Sequence, residues 1–452
     1  MSNGTLYVEK LNEAFIKITA DDFGIESELY EYFSFFVPGH KFMPLFRNKI
    51  WDGKAHLYDI HKKLLQTGLI GYVEKFADIN EYTISYKNDV KEINNYSVEL
   101  ITTFCSALKP HARSKPIDFR HYQLDAVHKA LNLNRCILVS PTSSGKSLMI
   151  YSLIRWYINA GKRCLIIVPS TTLVEQMYSD FQDYSTHNGW NVEANCNKIY
   201  SGFIREFKHN CAISTWQSLY KLKPSDLENI DVVIGDECHT YAAKSASTLL
   251  NNMPDVKYRF GTTGTLNGKN ISELQLTGLF GEVYKVITTK ELMDNKEVTP
   301  LNINCLILNH PKESKDLCKK IEYQKEIKFL TLDNKRNKFI SNLTLSLDGV
   351  TLILFNYISH GKAILELLKD KGSDRTIHYV SGEVDTAERN DIRNLLNSTK
   401  KSRKVYFGDM YTVVADIEDV KLTGGAIIKG KDLTLDSDID NDWIKSRKLH
   451  KE

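Results

Sequence analysis

At 452 residues the chain is too long for one ordinary core and requires several domains. Hydrophobic residues make up 42% and charged residues 25%, with a formal charge of +3; this excludes bulk disorder and leaves a weakly basic body that tolerates a polyanionic partner without arguing for one. No apolar run approaches the roughly 18–20 residues of a bilayer span, no secretory pattern opens the chain, and the eight cysteines lack zinc spacing, so no membrane association, reduced thiols and a cytoplasmic location are expected.

In chain order, residues 1–100 mix short aromatic-rich strand-like runs with helical patches, the pattern of a small α+β domain. Within it, residues 40–63 interleave Lys41, Arg47, Lys49, Lys54, Lys62 and Lys63 with Phe42, Phe46, Trp51 and Tyr58. Cations neutralise phosphates and aromatics stack on bases, so the stretch suits DNA binding. A small domain whose aromatics form its core and whose lysines are solvated explains it equally well.

Residues 101–295 alternate continuous Val/Ile/Leu strand cores (RCILVS, RCLIIVP, CAISTW, DVVIGDE, KYRFGTTGT) with amphipathic helical runs. This marks a parallel sheet covered on both faces. After the strand Arg135–Val139 comes SPTSSGKS, residues 140–147, then a helix. A strand, a tight loop of small residues ending in Gly-Lys-Ser and a helix N-terminus is the arrangement that holds a triphosphate. Pro141, Thr142, Ser143, Ser144 and Gly145 would wrap the phosphates, Lys146 would reach the β/γ oxygens, and the Ser147 hydroxyl would ligate Mg²⁺. Ser140 stands where the strict pattern has glycine. Further on, DVVIGDECH sets Asp236 and Glu237 at a strand end, where the first can hold Mg²⁺ and the second can orient and deprotonate the attacking water. Upstream, FRHYQLDAV supplies Arg120, Tyr122 and Gln123; a Gln amide offers the donor and acceptor that an adenine edge requires.

A second α/β set occupies residues 296–404, through NINCLIL, VTLILFN, GKAILELLKDK and TIHYVSG. Residues 405–452 fit no element pattern and end in an acidic patch followed by a basic one.

RHYQ, SPTSSGKS, DECH and Thr263-Gly264-Thr265 fall in the order of the superfamily 2 helicase motifs, and the chain resembles that superfamily, most closely its phage UvsW-type members. IIVPSTTLVEQ, STWQSL, FRNKIWDGKAHLYD, FGEVYKVITTKELMD, YQKEIK, KRNKFI and HYVSGEVDTAER extend the resemblance from about residue 30 to about residue 400. It implies an α/β protein of tandem RecA-like parallel-sheet lobes, the second incomplete or divergent, behind a small α+β N-terminal domain. The activity implied is that of an ATP- and Mg²⁺-dependent DNA helicase or translocase on branched intermediates (forks, D-loops, R-loops) in phage recombination, repair and replication, in the host cytoplasm. By resemblance, Pro169, Ser170, Thr172, Thr215 and Gln217 line the path of one DNA strand. Ser381 and Gly382 would grip phosphate from the second lobe, and His239, Thr263 and Thr265 would couple the ATP site to strand movement. Helix caps and hydrogen-bonded turns are the plainer explanation of the same hydroxyls.

One departure stands out. The superfamily closes its ATP cleft with an arginine, usually within Q-x-x-G-R-x-x-R, yet this chain has no Gln after Gln324 and offers only Arg403 and Arg447 after residue 400. A divergent closure, unrelated sequence after truncation or recombination, and a second polypeptide completing the lobe are the three readings. Under the second, the protein is a nucleotide-gated DNA-binding protein with little turnover.

Overall fold

The computed structural model describes residues 4–200, 207–220, 222, 227–242, 244–266, 270–298, 306, 308–347, 350–371, 376–381, 404–409 and 433–434. It divides into two compact units, residues 1–292 and 293–452.

The first unit begins with β1 (Thr5–Lys10) and β2 (Phe15–Ala20), whose alternating sequences bury one side-chain row each: Leu6, Val8, Ile16 and Ile18 are fully buried. A hairpin of β3 (Ser34–Phe36) and β4 (Lys54–His56) follows, then β5 (Leu64–Gln66) and β6 (Thr83–Tyr86). The four-stranded sheet has the order β5-β2-β1-β6. Helices Phe23–Tyr32, opened by the Asp22 side chain accepting from Gly24 N–H, and Ile70–Ile79 supply Leu29, Val73 and Phe76 to its core. Tyr58, read from sequence as a base-stacking candidate, instead lies fully buried in this core, its hydroxyl donating to the Ile18 carbonyl at 2.9 Å.

After the two-residue strands β7 (His111–Ala112) and β8 (Lys115–Pro116) come β9 (Arg135–Val139), β10 (Cys164–Val168), β11 (Cys196–Ile199), β12 (Cys211–Thr215), β13 (Val232–Gly235), β14 (Tyr258–Thr263) and β15 (Glu282–Lys285). These seven form one sheet in the order β11-β12-β10-β13-β14-β9-β15, with every pairing parallel. Helices His121–Leu133, Lys146–Asn159 and Thr171–Ser185 build the core on one face; Lys244–Asn251 and Asn270–Phe280 lie with the core on the other. Since both faces are covered, β10 is buried at every residue.

The four-stranded sheet is fastened to the seven-stranded one along a seam. Leu274 of the helix Asn270–Phe280 belongs to the N-terminal core. Gly68 lies so close to that helix that a Cβ would stand 2.0 Å from the Thr277 carbonyl oxygen, and a Cβ on Gly278 would stand 2.1 Å from Gln66 Oε1. The turn between β1 and β2 presents Glu13, which accepts from Arg135 through both its carbonyl (2.7 Å) and its carboxylate (3.2 Å). Arg135 lies opposite Arg259 on the neighbouring strand, and Arg259, 2% exposed, donates to the carbonyls of Leu250, Met253 and Val256. Burial and the proximity of Arg135 lower the Arg259 pKa to about 9.

In the second unit, β16 (Leu308–Asn309) is followed by β17 (Thr351–Phe355), β18 (Thr376–Val380), β19 (Lys404–Asp409) and β20 (Leu433–Thr434). The parallel order β17-β19-β18 accompanies a parallel β16–β20 pair. Phe355, Ile364 and Leu368 form its core with the helices Asn334–Ser346 and Ile358–Asp370, and His360 Nε2 meets Asn337 Oδ1 at 3.0 Å. Gly382, Arg403 and Arg447 lie outside the described residues.

Candidate active site

The phosphate-loop residues leave the C-terminal end of β9 and enter the helix Lys146–Asn159 through Ser143 (φ +67°) and Gly145 (φ +84°). Two left-handed positions so close together turn the backbone sharply at the helix N-terminus, which no side chain caps. The buried hydroxyl of Ser140 donates to Ser144 Oγ at 2.6 Å, and Ser144 Oγ donates to the Pro141 carbonyl at 2.6 Å. Ser140 thus does more than tolerate a position that usually holds glycine, because it ties the loop to itself. Pro141 is buried, Thr142 and Ser143 are exposed, and Ser147 is half-buried in the first turn of the helix.

Parallel neighbours bring the carboxylates to the same sheet edge. Lys146 Nζ donates to Glu237 Oε1 at 3.0 Å, and His239 Nδ1 lies 3.2 Å from Glu237 Oε2 and 2.9 Å from Thr263 Oγ1. Thr263 Oγ1 lies 3.0 Å from the Thr265 carbonyl, so His239, Thr263 and Thr265 make one chain of polar contacts ending on Glu237. Glu237 itself sits at φ +46°, an uncommon backbone for a non-glycine residue and a form of strain concentrated at functional sites. Asp236, 7% exposed, accepts from Thr262 Oγ1 at 2.6 Å. Nothing in the sequence singled out Thr262; its place one residue before Thr263 on β14 was the available signal.

The two acids are driven apart. Burial, together with the adjacent Glu237, pushes Asp236 up to about 6 despite the Thr262 hydrogen bond and Lys146. Burial also acts to raise Glu237, but the hydrogen bond from His239 and the charge and hydrogen bond of Lys146 outweigh it and hold it at about 2. A lysine, an ionised glutamate and an aspartate poised to ionise form a donor set suited to a triphosphate with a hard dication.

The Arg120-Tyr122-Gln123 group is bonded to the phosphate loop. Gln123 is 3% exposed, its Oε1 accepts from Arg120 N–H (2.9 Å), and its Nε2 donates to the Ser144 carbonyl (2.8 Å). Tyr122 is buried and donates to the same carbonyl at 3.2 Å, while Arg120 donates to the Tyr122 hydroxyl at 2.7 Å. Both ends of the amide are therefore engaged inside the protein, at the first turn of the helix His121–Leu133 and at the phosphate loop, which the group braces.

On the expected strand path, Pro169 and Thr172 are half-buried and Gln217 is exposed. Ser170 caps the helix Thr171–Ser185, accepting from Leu173 N–H at 3.3 Å. Thr215 is 4% exposed and its hydroxyl pairs with Ser218 Oγ, so it faces inward. Ser381 is 2% exposed. Helix capping and burial thus account for Ser170 and Thr215, leaving Gln217 as the member most open to solvent. Among the described residues all cysteines are unpaired, no His/Cys/Asp/Glu cluster holds metal-binding geometry, and no helix is long and apolar enough to cross a membrane.

With this geometry in view, residues 116–268 match the family model described as "Type III restriction enzyme, res subunit", and residues 8–87 match "DNA helicase UvsW, N-terminal". The chain is 36% identical over 381 residues to the ATP-dependent DNA helicase UvsW of Enterobacteria phage T4, spanning 82% of this chain and 74% of that protein. A crystal structure of T4 UvsW aligns over 90% of this chain and 80% of its own, with a TM-score of 0.58 and 32% identity. A second crystal structure of the bacteriophage T4 UvsW helicase aligns over 62% of this chain and 99% of its own, with a TM-score of 0.57 and 31% identity.

Proposed function

The chain belongs to the UvsW-type ATP-dependent DNA helicases of superfamily 2, and on that premise we propose that it hydrolyses Mg²⁺-ATP at the Lys146–Glu237 pocket to move or unwind branched DNA in phage recombination, repair and replication. The 3.0 Å approach of Lys146 Nζ to Glu237 Oε1 carries the proposal, because it joins the loop that binds phosphate to the group that can take a proton from water. Lys146 leaves Glu237 for the β/γ oxygens when ATP enters. Its departure removes one of the charges that hold the Glu237 pKa down, so the carboxylate becomes a better base once substrate is bound. His239 keeps the freed carboxylate oriented and, through Thr263 and Thr265, links its state to the end of β14. Ser147 and Asp236 would hold Mg²⁺, which when bound neutralises the phosphate oxygens. Gln123, Tyr122 and Arg120 fix the loop from behind.

Branched DNA as the substrate rests on family membership together with the basic, aromatic stretch at residues 40–63. A steady-state ATPase assay with no DNA, single-stranded DNA and forked DNA tests the reading. Forked DNA is expected to stimulate the wild-type chain and to leave Lys146→Ala at background; equal rates for the two proteins would sink it.

A further inference from the structure

Between β3 and β4 the chain makes a 17-residue excursion, residues 37–53, that closes on itself at its base, where Val37 N–H donates to the Gly53 carbonyl at 2.8 Å. Its interior is a small aromatic stack: Phe36 on His40 (4.7 Å between centroids) and His40 edge-on to Phe46 (4.8 Å). Gly53, at φ +82°, leaves space for both rings, since a Cβ there would stand 2.8 Å from His40 and 2.9 Å from Phe46. Trp51 Nε1 donates to the Lys54 carbonyl at 2.8 Å and Arg47 Nε to the Lys41 carbonyl at 3.3 Å. The excursion is therefore a braced arm.

Its outer surface is unusual for its apolar exposure. Phe42 is 76% exposed, Ile50 72% and Leu45 55%, adjoining Met43 on the same arm. Lys41, Arg47 and Lys49 stand among them, and neither lysine has an ion-pair partner among the described residues. Several exposed apolar side chains on one short arm mark a candidate contact surface. The cores of protein interfaces are depleted in lysine, whereas cations interleaved with flat or branched apolar groups suit a polyanion with exposed bases. The arm springs from the β3–β4 hairpin of the same N-terminal domain whose four-stranded sheet is joined to the parallel sheet through Glu13, Gln66 and Gly68.

We propose that residues 37–53 form a stacking wedge that seats Phe42 and Ile50 on the terminal base pair where duplex DNA gives way to single strands, with Lys41, Arg47 and Lys49 on the flanking phosphates. This rests on the helicase reading and adds the part of the DNA that the N-terminal domain engages. The full chain, with Phe42→Ser and Ile50→Ser combined, is compared with wild type on forked DNA carrying 2-aminopurine at the junction pair. Both side chains are exposed, so folding is preserved, and a matching thermal melt verifies it. Wild type is expected to change the junction emission on binding, and the variant to lose at least fivefold of that change. Fork unwinding should fall about tenfold while ATPase stimulated by single-stranded DNA stays within twofold, a base-stacking contact being worth about 1–3 kcal/mol. Lys41→Gln with Lys49→Gln is expected to reduce the slope of log affinity against log salt by about 2, one phosphate being lost per lysine.

An unchanged junction signal in the serine variant, or an equal fall in both activities, overturns the wedge. So does an unchanged salt slope in the lysine variant. A surface built for a protein partner would leave the junction signal and unwinding intact, and so also counts against it. The two readings fail separately: a wild-type chain without DNA-stimulated ATPase would sink the helicase function, while the junction emission would still decide the wedge.

Discussion

In the N-terminal sheet only alternate residues of β1 and β2 are buried, while β10 and β13 of the seven-stranded sheet are buried at every position. The first sheet keeps a less buried face and contributes a charged turn at its margin, while the neighbouring β3–β4 hairpin carries the braced arm. The second has no wet face, so its chemistry is confined to the loops at the C-terminal ends of its strands, where Lys146, Asp236, Glu237 and Thr263 converge. One sheet acts through its margins and the other through its strand ends, and each arrangement follows from how many faces are covered.

The hardest test of that division is at the strand ends. Lys146→Ala should lower DNA-stimulated ATP hydrolysis by about 10²–10³-fold or more, the scale for losing a group that stabilises developing charge. Glu237→Gln should give a fall of about 10²–10⁴-fold, as expected for a lost general base, with nucleotide binding retained in a fluorescent-ATP titration. If either variant hydrolyses normally, the chemistry lies elsewhere.

The next test is at the seam. Glu13→Ala removes the carboxylate bond to Arg135 but leaves the carbonyl bond in place; losing a partly buried hydrogen bond between charged groups costs about 1.5–3 kcal/mol. Denaturant unfolding should register a loss of that order, and two separate transitions in place of one would mark release of the N-terminal sheet.

Acidity sharpens the contrast within the site. The folded protein holds the Asp236 proton more tightly than an unfolded chain does, so ionising it between the ordinary value of 3.8 and about 6 costs stability. Asp236→Asn is accordingly expected to raise the melting temperature of the nucleotide-free protein above pH 6, and to remove a rise in Mg²⁺-ATP affinity of about fivefold between pH 5 and 6 that wild type should display. A lower melting temperature would contradict the assignment. Glu237 has the opposite sign: its depressed pKa stabilises the fold above the ordinary carboxylate range, and that contribution fades as pH falls towards about 2.

The smallest effect is at the brace. Gln123→Ala removes the hydrogen bond to the Ser144 carbonyl, worth about 0.5–1.5 kcal/mol, and should raise the KM for ATP up to about tenfold while kcat holds. An unchanged KM would separate the phosphate loop from its support.

The parallel sheet was legible in the sequence because unbroken Val/Ile/Leu runs arise where both faces are covered, and the Gly-Lys-Ser loop because its backbone geometry admits few residues. The edge strands β11 and β15 were not, since CNKI and EVYK carry polar residues that neither pattern predicts. Among single residues, the burial of Tyr58 and the internal bonds of Gln123 were not legible, for a shared reason. Residue type tells what a side chain can bond to, but not whether that partner is solvent, ligand or its own backbone. Thr262 and Glu13 act through neighbours distant in sequence, and no local pattern marks them.

The contacts of Gly68 and Gly278 have a consequence for domain exchange. Each glycine lies where any side chain would meet the opposing element within about the length of a hydrogen bond. A chimera that imports the first 90 or so residues from a relative must import the helix Asn270–Phe280 as well, or the graft will be held off its platform by the width of a methyl group.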